Sequence, residues 1–352
     1  MQKVETQKSR IREVDILRGV GIISVIIGHS FIVHPINLND IPWCDLVHRR
    51  IISSFHMELL FLVAGSVYHC INYRKFINKK IHRIVVPYLF FGLITLLLHS
   101  SDIGAVNKHY SFWDGILKLF FYGGSYWFLY VLFMIFLIYP LIEKFCRKPW
   151  MELLLAIGCI ALSEFVMLPS IFKFDDVVYY LPYFIFGHLM VRFLSSDKIE
   201  NDRLNIGLFA VSLLTYILLI MHTPAFKLTT RKYVVAMMMI FCLYVVAHYL
   251  LKWADSGSKT GKTIEKFFDN CSKYSLQLYL FNGFILVVAR TLLVRYLHVT
   301  EPVIIVILIT FFNLLITLLI CNFVLTKTRW LAWICGTGER PWLQFNSSGL
   351  KQ

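Results

Sequence analysis

Apolar runs of about the length needed to cross a bilayer alternate with short polar segments along the whole chain. This pattern predicts ten membrane-spanning helices, with ends defined to within a few residues. The predicted spans are 14–33, 53–70, 84–100, 125–142, 150–167, 177–194, 205–222, 233–251, 274–290 and 302–325. Residues 253–266, which read WADSGSKTGKTIEK, are predicted to form a flexible polar loop. The sequence therefore predicts an all-α integral membrane protein with a single domain over residues 1–352.

Composition and charge agree with a membrane setting. The 352 residues are 58% hydrophobic and only 16% charged, whereas soluble domains hold about 25% charged residues. The net charge of +14 does not indicate a nucleic-acid partner, because Lys and Arg fall between apolar runs, where they set membrane orientation. With a cytoplasmic N-terminus, about 23 basic residues lie inside and 9 outside. Both termini are therefore predicted to be cytoplasmic, in a multi-pass protein of the inner (plasma) membrane.

The first span carries charged residues that an ordinary spanning helix would not. Its stretch DILRGVGIISVIIGHS places Asp15 and Arg18 three positions apart, so that the two can pair. His29 follows Arg18 by eleven positions, which returns it to within about 20° of the same face, about 16 Å along the axis. This separation is comparable with the extended pantetheine arm of coenzyme A. One hypothesis is therefore that the phosphates of an acyl-CoA lie beside Arg18 and its thioester beside His29.

The second span and the segment before the third add further candidates. His56 and Glu58, in SSFHMELL, fall near the depth of His29 but are two positions apart and are not expected to share a helix face. A carboxylate at this depth is expected to be paired or functional, and it could orient a histidine. Alternatively, Glu58 reaches the outer surface. Lys80 and Arg83, in KKIHRIVVPY, either attract an anionic nucleotide or only enforce topology.

Several of these stretches together resemble the acyltransferase-3 family of integral membrane acyltransferases, within it the fucose O-acetylase-like branch. The stretches that carry the resemblance are REVDILRGVGIISVIIGHS, SFHM followed by FLVAGS, KKIHRIVVPYLFF, YWFLYVLF, YLPYFIFG and YSLQLYLFNGF. They span most of the chain in the family's order. The first is fairly specific, and the later aromatic and glycine motifs are weak alone.

The resemblance implies a ten-helix enzyme that takes an acetyl group from cytoplasmic acetyl-CoA, its co-substrate, to a hydroxyl of an envelope glycan or glycolipid. Arg18 would help to hold the donor, and His29 would act as general base or acyl relay. Lys80 and Arg83 match the paired basic positions of the family's cytoplasmic loop. Trp127 lies in the WFL motif and could line the donor tunnel. No metal is predicted, since a positioned base and a thioester donor suffice.

The chain also departs from the family pattern. Glu58 stands where Pro is frequent after FHM, and Asn282 stands where many members have a histidine. Asparagine cannot act as a base, although it can donate a hydrogen bond to an oxyanion. A mechanism with two catalytic histidines on these helices is therefore in doubt, unless His56 substitutes.

Other polar residues and other functions stay open at this stage. Tyr126 and Tyr279 either line the cavity or hydrogen-bond between helices, and Pro182 and Gly187 are interpreted as marking a kink. A transporter or flippase for a glycan or lipid-linked precursor is an alternative, in which Asp15, Arg18 and Glu58 couple transport to ions or contact the substrate. A catalytically inactive relative is another, suggested only by Asn282. Acetyl and other acyl donors, and the acceptor sugar, are not distinguished.

Overall fold

The protein folds as a bundle of helices. A computed structural model describes residues 11–32, 38–100, 111–194, 202–221 and 229–337, and within these ranges all regular structure is helical. The predicted all-α class is confirmed. The main helices are α1 (Arg12–Ser30), α2 (His56–Ser66), α3 (Tyr73–Ser100), α4 (Phe112–Phe121), α5 (Trp127–Phe145), α6 (Pro149–Phe165), α7 (Phe174–Leu194), α8 (Asp202–Met221), α9 (Thr229–Asp255), α10 (Lys259–Lys273), α11 (Ser275–Tyr296), α12 (Pro302–Leu325) and α13 (Arg329–Ile334).

Six helical stretches of the described residues are long and apolar enough to cross a membrane. They are Tyr73–Ser100, Phe112–Phe145, Asp202–Met221, Thr229–Asp255, Ser275–Tyr296 and Pro302–Leu325. The other predicted spans coincide with α1, α2, α6 and α7, which are not among these six. The total of ten crossings and the side of each terminus stay predictions.

The second predicted span is shorter as a helix than the sequence indicates. Its α-helix begins only at His56, because the preceding residues form a π-turn, Leu46–Ile51, and a 3-10 turn, Ile52–Ser54. Phe55 then adopts a non-helical conformation that separates these two segments from α2. This irregular start places His56 in the first turn of α2, shortly after the segment that contains His48.

The prediction of a flexible loop over residues 253–266 is wrong. Helix α9 continues to Asp255, and α10 begins at Lys259, with the Ser258 side chain accepting a hydrogen bond from the Gly261 N–H at 3.1 Å. Ser258 is thus the N-cap of α10, a role that the polar composition of the segment did not indicate. Gly261 is required by close packing, because a Cβ there would lie 2.9 Å from the Ala254 Cα.

Helix α10 fastens the first turn of α1 to the bundle. Arg12 donates to Glu265 at 2.7 Å and to Asp255 at 2.9 Å, so that one guanidinium joins the start of α1 to both α9 and α10. Farther along, a Cβ at Gly19 would lie 2.7 Å from the Phe268 carbonyl oxygen. The close approach of α10 holds the N-terminal half of α1, which includes Arg18, in a defined position.

Helices α2 and α7 cross with their backbones in contact. A Cβ at Gly65 would lie 1.9 Å from the Phe184 carbonyl oxygen, and one at Gly187 would lie 1.8 Å from the Leu62 carbonyl oxygen. Small residues that let spanning helices approach in this way are common in membrane bundles. The interpretation of Gly187 as a kink residue is therefore replaced by a packing role, while α7 continues as one helix through Pro182.

Candidate active site

Two of the cavities in the bundle contain, between them, nearly all the candidate residues. We call the larger, of about 680 Å³, the histidine cavity; its lining includes His29, His48, His56, Glu58, His99, Tyr126, Trp127, Tyr180, Tyr279 and Asn282. The smaller, of about 410 Å³, is the cation cavity; its lining includes Arg18, Lys80, Arg83, Phe128, Lys273, Gln277 and Tyr279.

The same five helices, α1, α2, α3, α5 and α11, contribute to both cavities. On α1, Arg18 and Ile22 face the cation cavity, and Val25 and His29 face the histidine cavity. Tyr279 of α11 lines both, and its ring lies edge-on to the ring of Tyr126 at 5.9 Å and to that of Phe128 at 5.4 Å. The cavities therefore meet at an aromatic cluster, with cations at one end and imidazoles at the other.

The cation cavity is suited to a polyanion. Arg18, Lys80, Arg83 and Lys273 line it, and no described carboxylate is part of its lining. The Lys80 ammonium lies 3.5 Å from the centre of the Phe136 ring, a cation–π contact that positions this lysine. Such a cluster attracts phosphate groups strongly, since several charges of one sign act together at close range.

Asp15 is placed beside this cavity rather than in it. Its carboxylate lies 3.9 Å from the Arg18 guanidinium and accepts a hydrogen bond from the Ser272 hydroxyl at 3.1 Å. It therefore positions Arg18. Trp127 lines the histidine cavity and not the cation cavity.

His56 is oriented by a backbone group. Its Nδ1 lies 2.8 Å from the Ile52 carbonyl oxygen, which can only accept, so Nδ1 carries the proton. In the neutral imidazole Nε2 then holds the free lone pair, as a base requires. The expectation that Glu58 orients a histidine is not what the structure shows, because the described partner of its Oε1 is the Tyr179 hydroxyl at 3.4 Å. His56 and Glu58 are two positions apart on α2, and both nevertheless line the histidine cavity at the first turn of that helix.

The acyltransferase-3 model, described as an acyltransferase domain, matches residues 11–322. The chain belongs to the acyltransferase-3 family. No curated protein and no solved structure matches it. The family match covers α1 to α11 and most of α12, so both cavities of this acyltransferase lie almost wholly in the matched region.

In this acyltransferase-3 member, Asn282 is held by a second asparagine. Asn313 of α12 donates from Nδ2 to the Asn282 side-chain oxygen at 2.7 Å, and Asn313 is fully buried. With its oxygen held in this way, the Asn282 amide has its NH₂ group available for another acceptor. Asn282 lines the histidine cavity, where such a donor could serve a developing oxyanion.

Two histidines of this acyltransferase's cavity were not found from the sequence. His48 stacks on Phe31 with ring centres 5.5 Å apart, and its Nδ1 lies 2.7 Å from the Asn39 side-chain oxygen. Burial lowers the pKa of His48, and the neighbouring Arg49 cation lowers it further. His99 lies at the end of α3. No sequence signal pointed to either residue, because one precedes a span and the other ends one.

Proposed function

We propose that this acyltransferase moves an acetyl group from cytoplasmic acetyl-CoA to a hydroxyl of an envelope or exported glycan, across the inner membrane. The observation that carries the proposal is that one face of α1 presents Arg18 to the cation cavity and His29 to the histidine cavity. The fucose O-acetylase-like branch stays a prediction within this proposal.

The phosphates of the donor would bind in the cation cavity, and its thioester would lie in the histidine cavity. Arg18, Lys80 and Arg83 offer positive charge for the phosphates of coenzyme A. The pantetheine arm would follow α1 and α11 past Tyr279, which lines both cavities. The thioester carbon would then lie among the histidines.

Transfer needs a base, an oxyanion donor and a leaving thiolate. His29, exposed to its cavity, accepts the proton of the acceptor hydroxyl as the hydroxyl oxygen attacks the thioester carbonyl carbon. Asn282 donates to the oxyanion of the tetrahedral intermediate. The C–S bond then breaks, the ester forms, and the coenzyme A thiolate takes up a proton. His56, with Nε2 unprotonated, is the alternative base.

Transfer of label tests the proposal. Membranes that contain the protein and matched membranes that lack it receive acetyl-labelled acetyl-CoA and envelope glycan from the cells that make the protein. We expect ester-linked label on the glycan only with the protein present, released by mild alkali. Absence of label with acetyl-CoA and with longer acyl-CoA donors would contradict the proposal and favour a transporter.

The cation cavity gives a prediction for Arg18→Gln. Loss of a charged hydrogen bond to phosphate should raise KM for acetyl-CoA roughly ten- to a hundredfold, with a smaller change in kcat. Initial rates against donor concentration measure it. Lys79→Gln is the matched control, because Lys79 is exposed and does not line the cavity. Equal KM values in the two variants would exclude Arg18 from donor binding.

A further inference from the structure

A third cavity lies against the histidine cavity on the side of α7, and it is polar. Its volume is about 540 Å³, and we call it the side cavity. Its lining includes Ser53, Glu58, Val166, Asp175, Tyr179 and Tyr180. Hydroxyl, carboxylate and aromatic side chains dominate this lining, whereas the cation cavity presents cations and apolar groups. The basic-residue count assigns two further lining residues, Arg49 and Lys232, to the outer side, opposite to the cation cavity.

Three residues, Ser53, Glu58 and Tyr180, line both the side cavity and the histidine cavity. They form a shared boundary, so a ligand in the side cavity lies directly beside the cavity that holds His29 and His56. Ser53 donates to the His48 carbonyl oxygen at 2.8 Å. Tyr180 stacks on Phe61 with ring centres 4.3 Å apart, and this packing fixes the position of the Tyr180 ring.

Glu58 is the boundary residue whose carboxylate could accept a hydrogen bond from a bound ligand. It is 6% exposed, and its Oε2 atom accepts no hydrogen bond of ordinary geometry from any described residue. Its Oε1 atom accepts a long hydrogen bond from the Tyr179 hydroxyl, at 3.4 Å, and the backbone N–H groups of Met57 and of Glu58 itself also interact with the carboxylate. A buried carboxylate oxygen without a donor is costly, and a hydroxyl of a bound ligand would satisfy it.

We propose that the side cavity is the acceptor subsite of the acyltransferase and that it binds a polyhydroxylated sugar unit. One sugar hydroxyl donates to Glu58 Oε2 at the boundary, and the neighbouring hydroxyl extends into the histidine cavity to be acylated. Asp175 lies on the same lining and offers a further acceptor for sugar hydroxyls. The ring packs on Tyr180. This inference rests on the proposed acyl transfer, and it adds the route and the chemistry of the acceptor.

A substitution that fills the side cavity without touching the histidine cavity tests the inference. Val166 lines only the side cavity, has an extended backbone conformation and is 48% exposed, so Val166→Trp should be tolerated by the fold. We expect KM for the envelope glycan to rise roughly tenfold or more, with KM for acetyl-CoA unchanged. Val234→Trp, at a 42% exposed position outside the three cavities, is the control.

Glu58→Gln gives a second reading with little change of volume. The amide can keep the contact with Tyr179 but has lost the charge that attracts a sugar hydroxyl, so the KM for the glycan should rise more than the KM for acetyl-CoA. Unchanged glycan KM in both variants, or an equal rise in the KM of both substrates, would overturn the inference. Absence of transfer by the wild-type protein is a different result, because it would remove the proposed function itself.

Discussion

Replacement of His29 by alanine should lower kcat for acyl transfer roughly 10²–10⁴-fold, which is the usual contribution of a general base. His29 is exposed to the histidine cavity, on the face of α1 that also carries Arg18. The KM for acetyl-CoA should change little, because the cations that hold the phosphates are left in place. Initial rates of label transfer by membranes with equal amounts of protein measure both constants.

A structural role for His29 predicts a different result. A base must be unprotonated, so the wild-type rate should rise with pH through an acid limb, and that limb should disappear in His29→Ala. The control is His69→Ala, because His69 is exposed and lines none of the three cavities. His56→Asn tests the alternative base, since it keeps a donor near Ile52 but has no Nε2. Equal kcat in His29→Ala and His69→Ala, with loss only in His56→Asn, would transfer the role of base to His56.

The second large effect is on folding. Gly187→Ala should lower the free energy of unfolding by about 3 kcal/mol or more, at or above the upper end of ordinary overpacking. The added methyl would lie 1.8 Å from the Leu62 carbonyl oxygen, and backbone atoms cannot move aside as a flexible side chain can. Helices α2 and α7 would be forced apart, and with them Glu58 and Tyr179. Thermal unfolding in detergent measures the effect.

Gly158→Ala is the matched control for Gly187→Ala. Gly158 also lies within a helix, but a Cβ there meets no atom within 4 Å. Alanine is the better helix former, so this variant should unfold at the wild-type temperature or slightly above it. Equal unfolding temperatures for the two variants would show that the α2–α7 crossing is looser than described.

Most of the helices could be predicted from local sequence patterns, but the contacts between the helices could not. Apolar runs predicted the all-α class because a spanning segment must satisfy its own backbone groups. The loop expected at residues 253–266 is wrong because Ser258 caps a new helix, whose apolar residues Ile264, Phe267, Phe268 and Cys271 follow the spacing of an amphipathic helix rather than a continuous apolar run. The role of Gly187 depends on a carbonyl of another helix, which no property of its own segment reveals.

The candidate site shows the same division. The spacing of Arg18 and His29 placed them on one helix face, and the structure has them lining two adjoining cavities. The partners of Glu58 could not be read from the sequence, because Tyr179 is 121 positions away. His48, which lines the histidine cavity, was also not predicted, because it lies in a short π-helical segment rather than in a regular α-helix.

The position of Tyr279 affects whether ions can cross the membrane through this protein. A continuous aqueous passage from the cation cavity to the side cavity would conduct protons and ions and dissipate the transmembrane potential. The ring of Tyr279, packed edge-on against Tyr126 and Phe128, stands where the two main cavities meet. Under the proposed function, a slender acyl arm passes this ring while hydrated ions do not, so the cell could modify its outer surface with a cytoplasmic metabolite without losing its stored electrochemical energy.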